Sequence, residues 1–203
     1  MWELVQAGGW LMLPLGLCSV FALAITLERL IRLRKADIIP QALCLKADQP
    51  LQAVMDALYQ QPHLKASSLG RIFMAGEHSR LHSAEYARAQ MEAVASEEIG
   101  RLEKNINFLG TLSAIAPLLG LLGTVLGIIE AFLMLDLTVQ GDPRLMIPGI
   151  SKALITTAAG MFIAIPALVA YRYFQRVVQE HIAVLEQQAT RFHAAYFYQS
   201  DSR

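Results

Sequence analysis

Two hydroxyls and two charges carry the chemistry this sequence offers: Thr124, Thr157, Glu130 and Lys152. All four fall within or beside long uncharged stretches. If the two stretches form an antiparallel hairpin centred on Gly141, Thr124 lies 17 residues before the centre and Thr157 lies 16 after it. The two hydroxyls then share a depth near mid-membrane, with Thr156 beside them. Facing a common seam, they would make a small polar surface in a dry helix bundle. Glu130 lies 6 residues from Thr124 and Lys152 lies 5 from Thr157. At helical rise these are steps of about 9 Å and about 7.5 Å in one direction, toward the turn. An ionisable side chain at membrane depth is costly and marks function by default. Plainer readings stand beside these. A threonine can bond the i−4 carbonyl of its own helix. Glu130 and Lys152 can form a salt bridge, or reach the outer headgroups.

Enzyme motifs are missing from this sequence. It has no HExxH, CxxC, nucleotide loop or GxSxG. His78 and His82 are spaced i,i+4, but no third metal ligand stands near them. The expectation is a protein that is not an enzyme and holds no metal or cofactor. No basic stripe with interleaved aromatics suggests a nucleic-acid partner.

The elements that must position these groups are membrane helices. Of 203 residues, 55% are hydrophobic and 17% charged, and the mean hydropathy is +0.41. Soluble domains carry about 25% charged residues. Residues 4–27, 105–129 and 153–171 contain no Asp, Glu, Lys or Arg. Uncharged apolar runs of this length read as spans. The expected organisation is an N-terminal segment with the first span over 1–30, a helical cytoplasmic domain over 31–104 and a second span over 105–137. A turn over 138–144, a third span over 145–174 and a cytoplasmic helix over 175–203 follow. The first span resembles a signal peptide only superficially. Only Glu3 is charged before it, and Glu28, Arg29, Arg32, Arg34 and Lys35 follow it as a stop-transfer pattern, so it is expected to stay uncleaved. Residues 1–28 hold no Lys or Arg, whereas 29–104 hold eleven. The positive-inside rule therefore places the N-terminus and the hairpin turn outside. Cys18 and Cys44 fall in the membrane and the cytoplasm, so no disulfide is expected.

Between the first two spans, Pro40, Pro50 and Pro62 break the chain into helices. One is expected over 51–59, one from Ser67 or Ser68 to Glu77, and one starting at Ser83. Ala87, Met91, Val94, Glu98 and Leu102 give the last a mostly apolar face, and Glu97 and Arg101 pair at i,i+4. It is expected to run unbroken into the second span, to about Leu135, with a bend at Pro117. The tail from Tyr173 to Ala195 lacks Pro and Gly and carries an apolar stripe of Val177, Ile182, Val184, Leu185, Ala189 and Phe192.

Small residues concentrate in the second and third spans. Gly123 and Gly127 make a small-xxx-small pair, and Gly120, Pro117, Gly160 and Pro166 extend the candidate packing surface. The first span, rich in Leu, Ile, Val and Phe, is the natural lipid-facing helix.

Two blocks of these spans resemble a known family. Residues 116–128, Ala-Pro-Leu-Leu-Gly-Leu-Leu-Gly-Thr-Val-Leu-Gly-Ile, are similar to the second-span signature of the MotA/TolQ/ExbB proton-channel family. Pro148-Gly149-Ile150, residues 153–160 and Ala164-Ile165-Pro166-Ala167 resemble its third-span signature. The three-span, N-out topology agrees. The size and short outer hairpin resemble ExbB or TolQ more than the four-span MotA. The resemblance implies an all-α membrane protein with long helical extensions into the cytoplasm of a bacterium, set in its inner membrane. It implies a homopentamer around the transmembrane helices of an ExbD-like dimer, whose one-span chains supply the proton-binding Asp. Proton entry would drive this motor, with protons as coupling ion, and TonB would pass the force to outer-membrane receptors. Thr124 and Thr157 match the family's pore threonines, with Thr156 adjacent. A hydroxyl can donate to an ionised carboxylate or accept from a protonated one, so such groups serve both states without titrating. One departure is clear: ExbB and TolQ commonly carry Glu two residues after the Ile of Pro-Gly-Ile, where this chain has Lys152. A Lys cannot directly replace a carboxylate relay. The alternatives are a TolQ-like subunit of the Tol-Pal envelope system and a non-conducting scaffold of the same fold. A transporter acting alone fits less, because no inverted repeat or broken-helix pair is present.

Overall fold

The three uncharged runs become helices, as the need to satisfy every backbone group in lipid requires. A computed structural model describes residues 8–45, 50–79, 81–136 and 143–197. Among these residues the protein is all-α, without strands. Helix α1 is Met12–Arg32, α2 Lys35–Ile38, α3 Leu51–Gln60, α4 Pro62–Ala66, α5 Ser68–His78, α6 Ala84–Glu103, α7 Ile106–Asp136 and α8 Ile147–Phe197. Short 3-10 turns cover Gln41–Leu43 and Pro143–Met146. Three helices are long and apolar enough to cross a membrane: Met12–Arg32, the stretch Ala84–Leu135 and Ile147–Phe197. Most of the expected outer turn, residues 137–142, lies outside the described residues.

One expectation is corrected. The helix from Ser83 does not run unbroken to Leu135 but is interrupted at Lys104 and Asn105. Lys104 is extended (ψ 139°), and Asn105 takes a positive φ of 63°. Asparagine tolerates the left-handed region better than other non-glycine residues and ends helices there. The Asn105 side-chain amide also donates to Glu28 Oε2 at 3.0 Å. Pro117 lies inside α7 and Pro166 inside α8.

The chain divides into two compact units. The first holds residues 1–28 and 105–173. In it α1 turns one stripe inward, Leu11, Leu15, Cys18, Ala22 and Ile25, at alternating steps of four and three residues. Leu15 packs with Ala116 of α7 and Ala164 of α8, flanked by Met12, Leu119, Ala159 and Ile163. Most of the other α1 residues are exposed, including Leu13, Leu17, Phe21 and Leu27. Outward faces of α7 and α8 are equally apolar, with Leu118, Val125 and Phe132 on one and Leu154, Phe162 and Ile165 on the other.

The second unit holds residues 29–104 and 174–203. Ser67 and Ser83 cap α5 and α6, accepting from the backbone N–H of Gly70 and Tyr86. Phe73 of α5 stacks on Phe192 of α8, ring centroids 4.3 Å apart. The buried edge of the α8 tail is Phe174, Val178, His181, Leu185, Gln188 and Phe192. It overlaps the predicted stripe only at Leu185 and Phe192, because two polar residues take inward positions. Gln188 earns its place by accepting from the Leu45 N–H at 2.8 Å. His181 is buried, with no hydrogen-bond partner at Nδ1 among the described residues. Burial lowers its pKa below the usual 6.5, the Lys35 cation lowers it further, and Glu180 opposes. The α6 face is as predicted for Ala87, Met91, Glu98 and Leu102, all buried. The Glu98 carboxylate accepts from Ser68 Oγ at 2.9 Å, Arg71 at 3.1 Å and Arg101 at 2.9 Å. Buried Arg29 donates to the carbonyls of Arg101 and Leu102, near the negative C-terminal end of α6.

Candidate ion-pathway site

Helices α7 and α8 meet along a line of glycines. A Cβ built on Gly120 would stand 3.1 Å from Thr157 Cα, and one on Gly123 would stand 2.5 Å from Thr156 Cγ2. On Gly127 it would meet Ala153 Cβ and the Gly149 carbonyl, each at 2.7 Å. From the other side, Gly160 faces the Ala116 carbonyl at 2.6 Å. A side chain at Gly123, Gly127 or Gly160 would force a shift, and one at Gly120 would need its neighbour to yield by a few tenths of an ångström. Backbones approach closely where small residues face one another, the packing that membranes favour. Pro117 is half-buried near this line, whereas Pro166 is exposed.

The seam decides where the threonines go. Thr157 spans it: its Oγ1 donates to the Gly120 carbonyl of α7 at 2.7 Å. Thr156 is 1% exposed and lies flat against Gly123. Its hydroxyl reaches both the Lys152 carbonyl at 2.7 Å and the Gly8 carbonyl at 3.2 Å. Thr124 follows Gly123 by one residue, about 100° round the helix, and so sits beside the seam rather than on it. Its Oγ1 donates to the Leu121 carbonyl of its own helix at 2.6 Å. The expected meeting of Thr124 and Thr157 across one seam is therefore replaced by a meeting of glycines with Thr156 and Thr157. Each hydroxyl gives its hydrogen to a backbone carbonyl and keeps its lone pairs for an incoming donor.

Glu130 and Lys152 come together across the two helices. Lys152 Nζ lies 2.8 Å from Glu130 Oε2 and 3.1 Å from Oε1. Their side chains are 51% and 30% exposed respectively, so the pair has one open side. His78 and His82, spaced for one helix face, are not on one helix: α5 ends at His78 and Ser79 follows as its C-cap.

Other participants were not foreseen from sequence. Gly149 and Ala153 of α8 complete the seam. Gly8 and Gly9 lie against Thr156 and Lys152. The Gly-Gly dipeptide ahead of an apolar run was the available signal for the last two.

The pattern of the MotA/TolQ/ExbB proton channel family matches residues 49–187, which is most of the chain and includes the whole glycine seam. The chain belongs to this family. Among relatives, a Synechocystis protein named ExbB-like 1 is 37% identical over 176 residues, covering 81% of this chain and 66% of that protein. The Tol-Pal system protein TolQ of Haemophilus influenzae is 44% identical over 81 residues, 40% of this chain and 36% of that protein. The chain thus spans less than two thirds of the length of either relative. A second Synechocystis protein, named ExbB-like 3, is 28% identical over 198 residues, 94% of this chain and 92% of that protein. As a member of the MotA/TolQ/ExbB family, the chain carries its Gly120, Gly123, Thr124 and Gly127 on one spanning helix and Thr156, Thr157 and Gly160 on the next.

Proposed function

We propose that this chain is the channel-forming subunit of an inner-membrane motor driven by proton entry. Five copies surround a dimer of an ExbD-like one-span protein that supplies the proton-binding Asp, and a TonB-like protein carries the force to outer-membrane receptors. The N-terminus faces the periplasm, and residues 31–104 with the C-terminal helix face the cytoplasm. The protein is not an enzyme, and it uses protons rather than a bound cofactor.

The observation that carries this reading is the glycine seam with Thr157 bridging it. A two-helix wall holds hydroxyls whose lone pairs can accept a hydrogen bond from a neighbouring protonated carboxyl without themselves titrating. Large apolar surfaces on α1, α7 and α8 are left for lipid and for other chains. The relatives include one named ExbB-like and one named as a Tol-Pal system protein TolQ, so the reading has two possible settings. The TolQ relative favours a second reading, in which the motor serves the Tol-Pal system. Co-purification with a small one-span protein bearing a membrane Asp, followed by the mass of the intact complex, tests the assembly. A five-to-two ratio is expected, and a complex without such a partner would refute it. Proton uptake by liposomes holding the complex, with and without that Asp, tests conduction.

A further inference from the structure

We propose that residues 8–11 form a clamp on Lys152, making Gly9 and Thr156 positioning residues for the Lys152–Glu130 pair. This rests on the placement of that pair in the wall of the ion pathway argued above. Three observations meet at one spot. Gly9 has a φ of 71°, and a Cβ built on it would collide with Lys152 Cε and stand 3.0 Å from Nζ. Gly8 is buried, and its carbonyl accepts from Thr156 Oγ1 at 3.2 Å. The Gly9 carbonyl accepts from the Met12 N–H at 3.1 Å, which ties the segment to the start of α1.

The bend at Gly9 needs a residue that adopts the left-handed region freely, and the space needs one without a side chain. The second requirement comes from the lysine stem lying directly beneath. The stem needs such a restraint. An ion pair with this much exposure favours the closed arrangement only about fivefold at most. Its ammonium would otherwise sweep the wall on four rotatable bonds. A mobile cation there would repel the coupling proton. Trapped between Gly9 and Glu130, the same cation is neutralised at a fixed place. The clamp thus holds the Lys152 ammonium against Glu130 instead of leaving it free to move along the wall.

Amine chemistry tests it. The chain has only five lysines: Lys35, Lys46, Lys65, Lys104 and Lys152. Purified protein in detergent is treated with a sulfonated N-hydroxysuccinimide ester, and acylation of Lys152 is followed by peptide mass. Exposed Lys104 on the same molecule is the internal standard. Gly9→Asn keeps the positive φ accessible while filling the space over the stem. The Lys152/Lys104 rate ratio is expected to rise about tenfold in Gly9→Asn. A smaller rise is expected in Thr156→Val, which cannot donate to Gly8. An unchanged ratio in both variants overturns the clamp, whichever way the protein faces. Labelling intact cells with the same impermeant reagent tests the orientation separately. Modification of Lys152 alone supports the periplasmic placement. If Lys65 or Lys104 reacts instead, the placement falls while the detergent ratio still decides the clamp.

Discussion

Gly127→Ala isolates the seam. The added methyl would stand 2.7 Å from Ala153 Cβ and 2.7 Å from the Gly149 carbonyl oxygen. Carbon atoms rest about 3.5–4.0 Å apart, so the shortfall is about 1 Å against atoms that cannot rotate away. Either the helices separate along the seam or α8 shifts. Overpacking of this kind costs about 1–3 kcal/mol. Against it stands the helix preference for Ala over Gly, about 1 kcal/mol in water. Gly16→Ala supplies the reference: Gly16 is helical and exposed in α1, with nothing within 4 Å of a built Cβ. The propensity term cancels between the two variants and leaves the steric term, about 1–3 kcal/mol. Unfolding in mixed detergent micelles followed by helical circular dichroism reads this difference. Gly16→Ala should be neutral or slightly stabilised, and Gly127→Ala should be the less stable by that amount. Equal midpoints would mean that α7 and α8 are not in backbone contact at Gly127, and the argument from glycine to seam would fail.

Thr157→Val keeps the volume but removes the donor to the Gly120 carbonyl, so it should lower stability by about 1 kcal/mol. It should also lower proton-driven growth at unchanged complex yield. Thr124→Val loses only an exposed bond within its own helix, so its stability should barely move while its activity falls. Normal growth of the double variant would remove both from the pathway. Glu98→Ala should destabilise by about 2 kcal/mol in thermal unfolding of the full chain. That is less than a fully buried pair would lose, because Arg71 and Arg101 are about half exposed and rehydrate. His181 gives stability a pH dependence. Its pKa is lowered in the folded state, so as pH falls below about 6.5 the unfolded chain binds a proton that the folded chain does not. Stability is therefore full above that value, falls as pH drops through it, and levels below the lowered pKa. His181→Gln should flatten this slope, which chemical unfolding at a series of pH values measures.

The fold was legible wherever one physical rule dominated. Lipid excludes charge, so the uncharged runs at 4–27, 105–129 and 153–171 located the three long helices. Pro50, Ser67 and Ser83 act locally, and they mark helix starts where expected, whereas the short helix from Pro62 was read only as a break. The interruption at Lys104–Asn105 was not legible. Neither residue breaks helices strongly, and the positive φ of Asn105 is accompanied by a bond to Glu28, 77 residues away. The inward places of His181 and Gln188 were hidden for a similar reason. Periodicity predicts which face a helix buries but not that a distant Leu45 N–H needs an acceptor there.

At the site, sequence spacing resolved depth better than direction. Counting from Gly141 put Glu130 and Lys152 at one level, and long side chains closed the remaining distance to 2.8 Å. Threonines are too short to forgive such errors. The seam registers Gly120 against Thr157 and Gly123 against Thr156, so a centre counted along the chain is off by a few residues there. Glycines of α7 occupy the line of closest approach, facing Thr156, Thr157 and Ala153 of α8. Thr157 reaches across to the Gly120 carbonyl, and Thr124, one residue past Gly123, is turned out of the seam. That outward turn takes Thr124 away from the neighbouring helix of its own chain. It leaves the side chain half-buried beside the seam, on the side that would face a second subunit or partner helix in the proposed assembly.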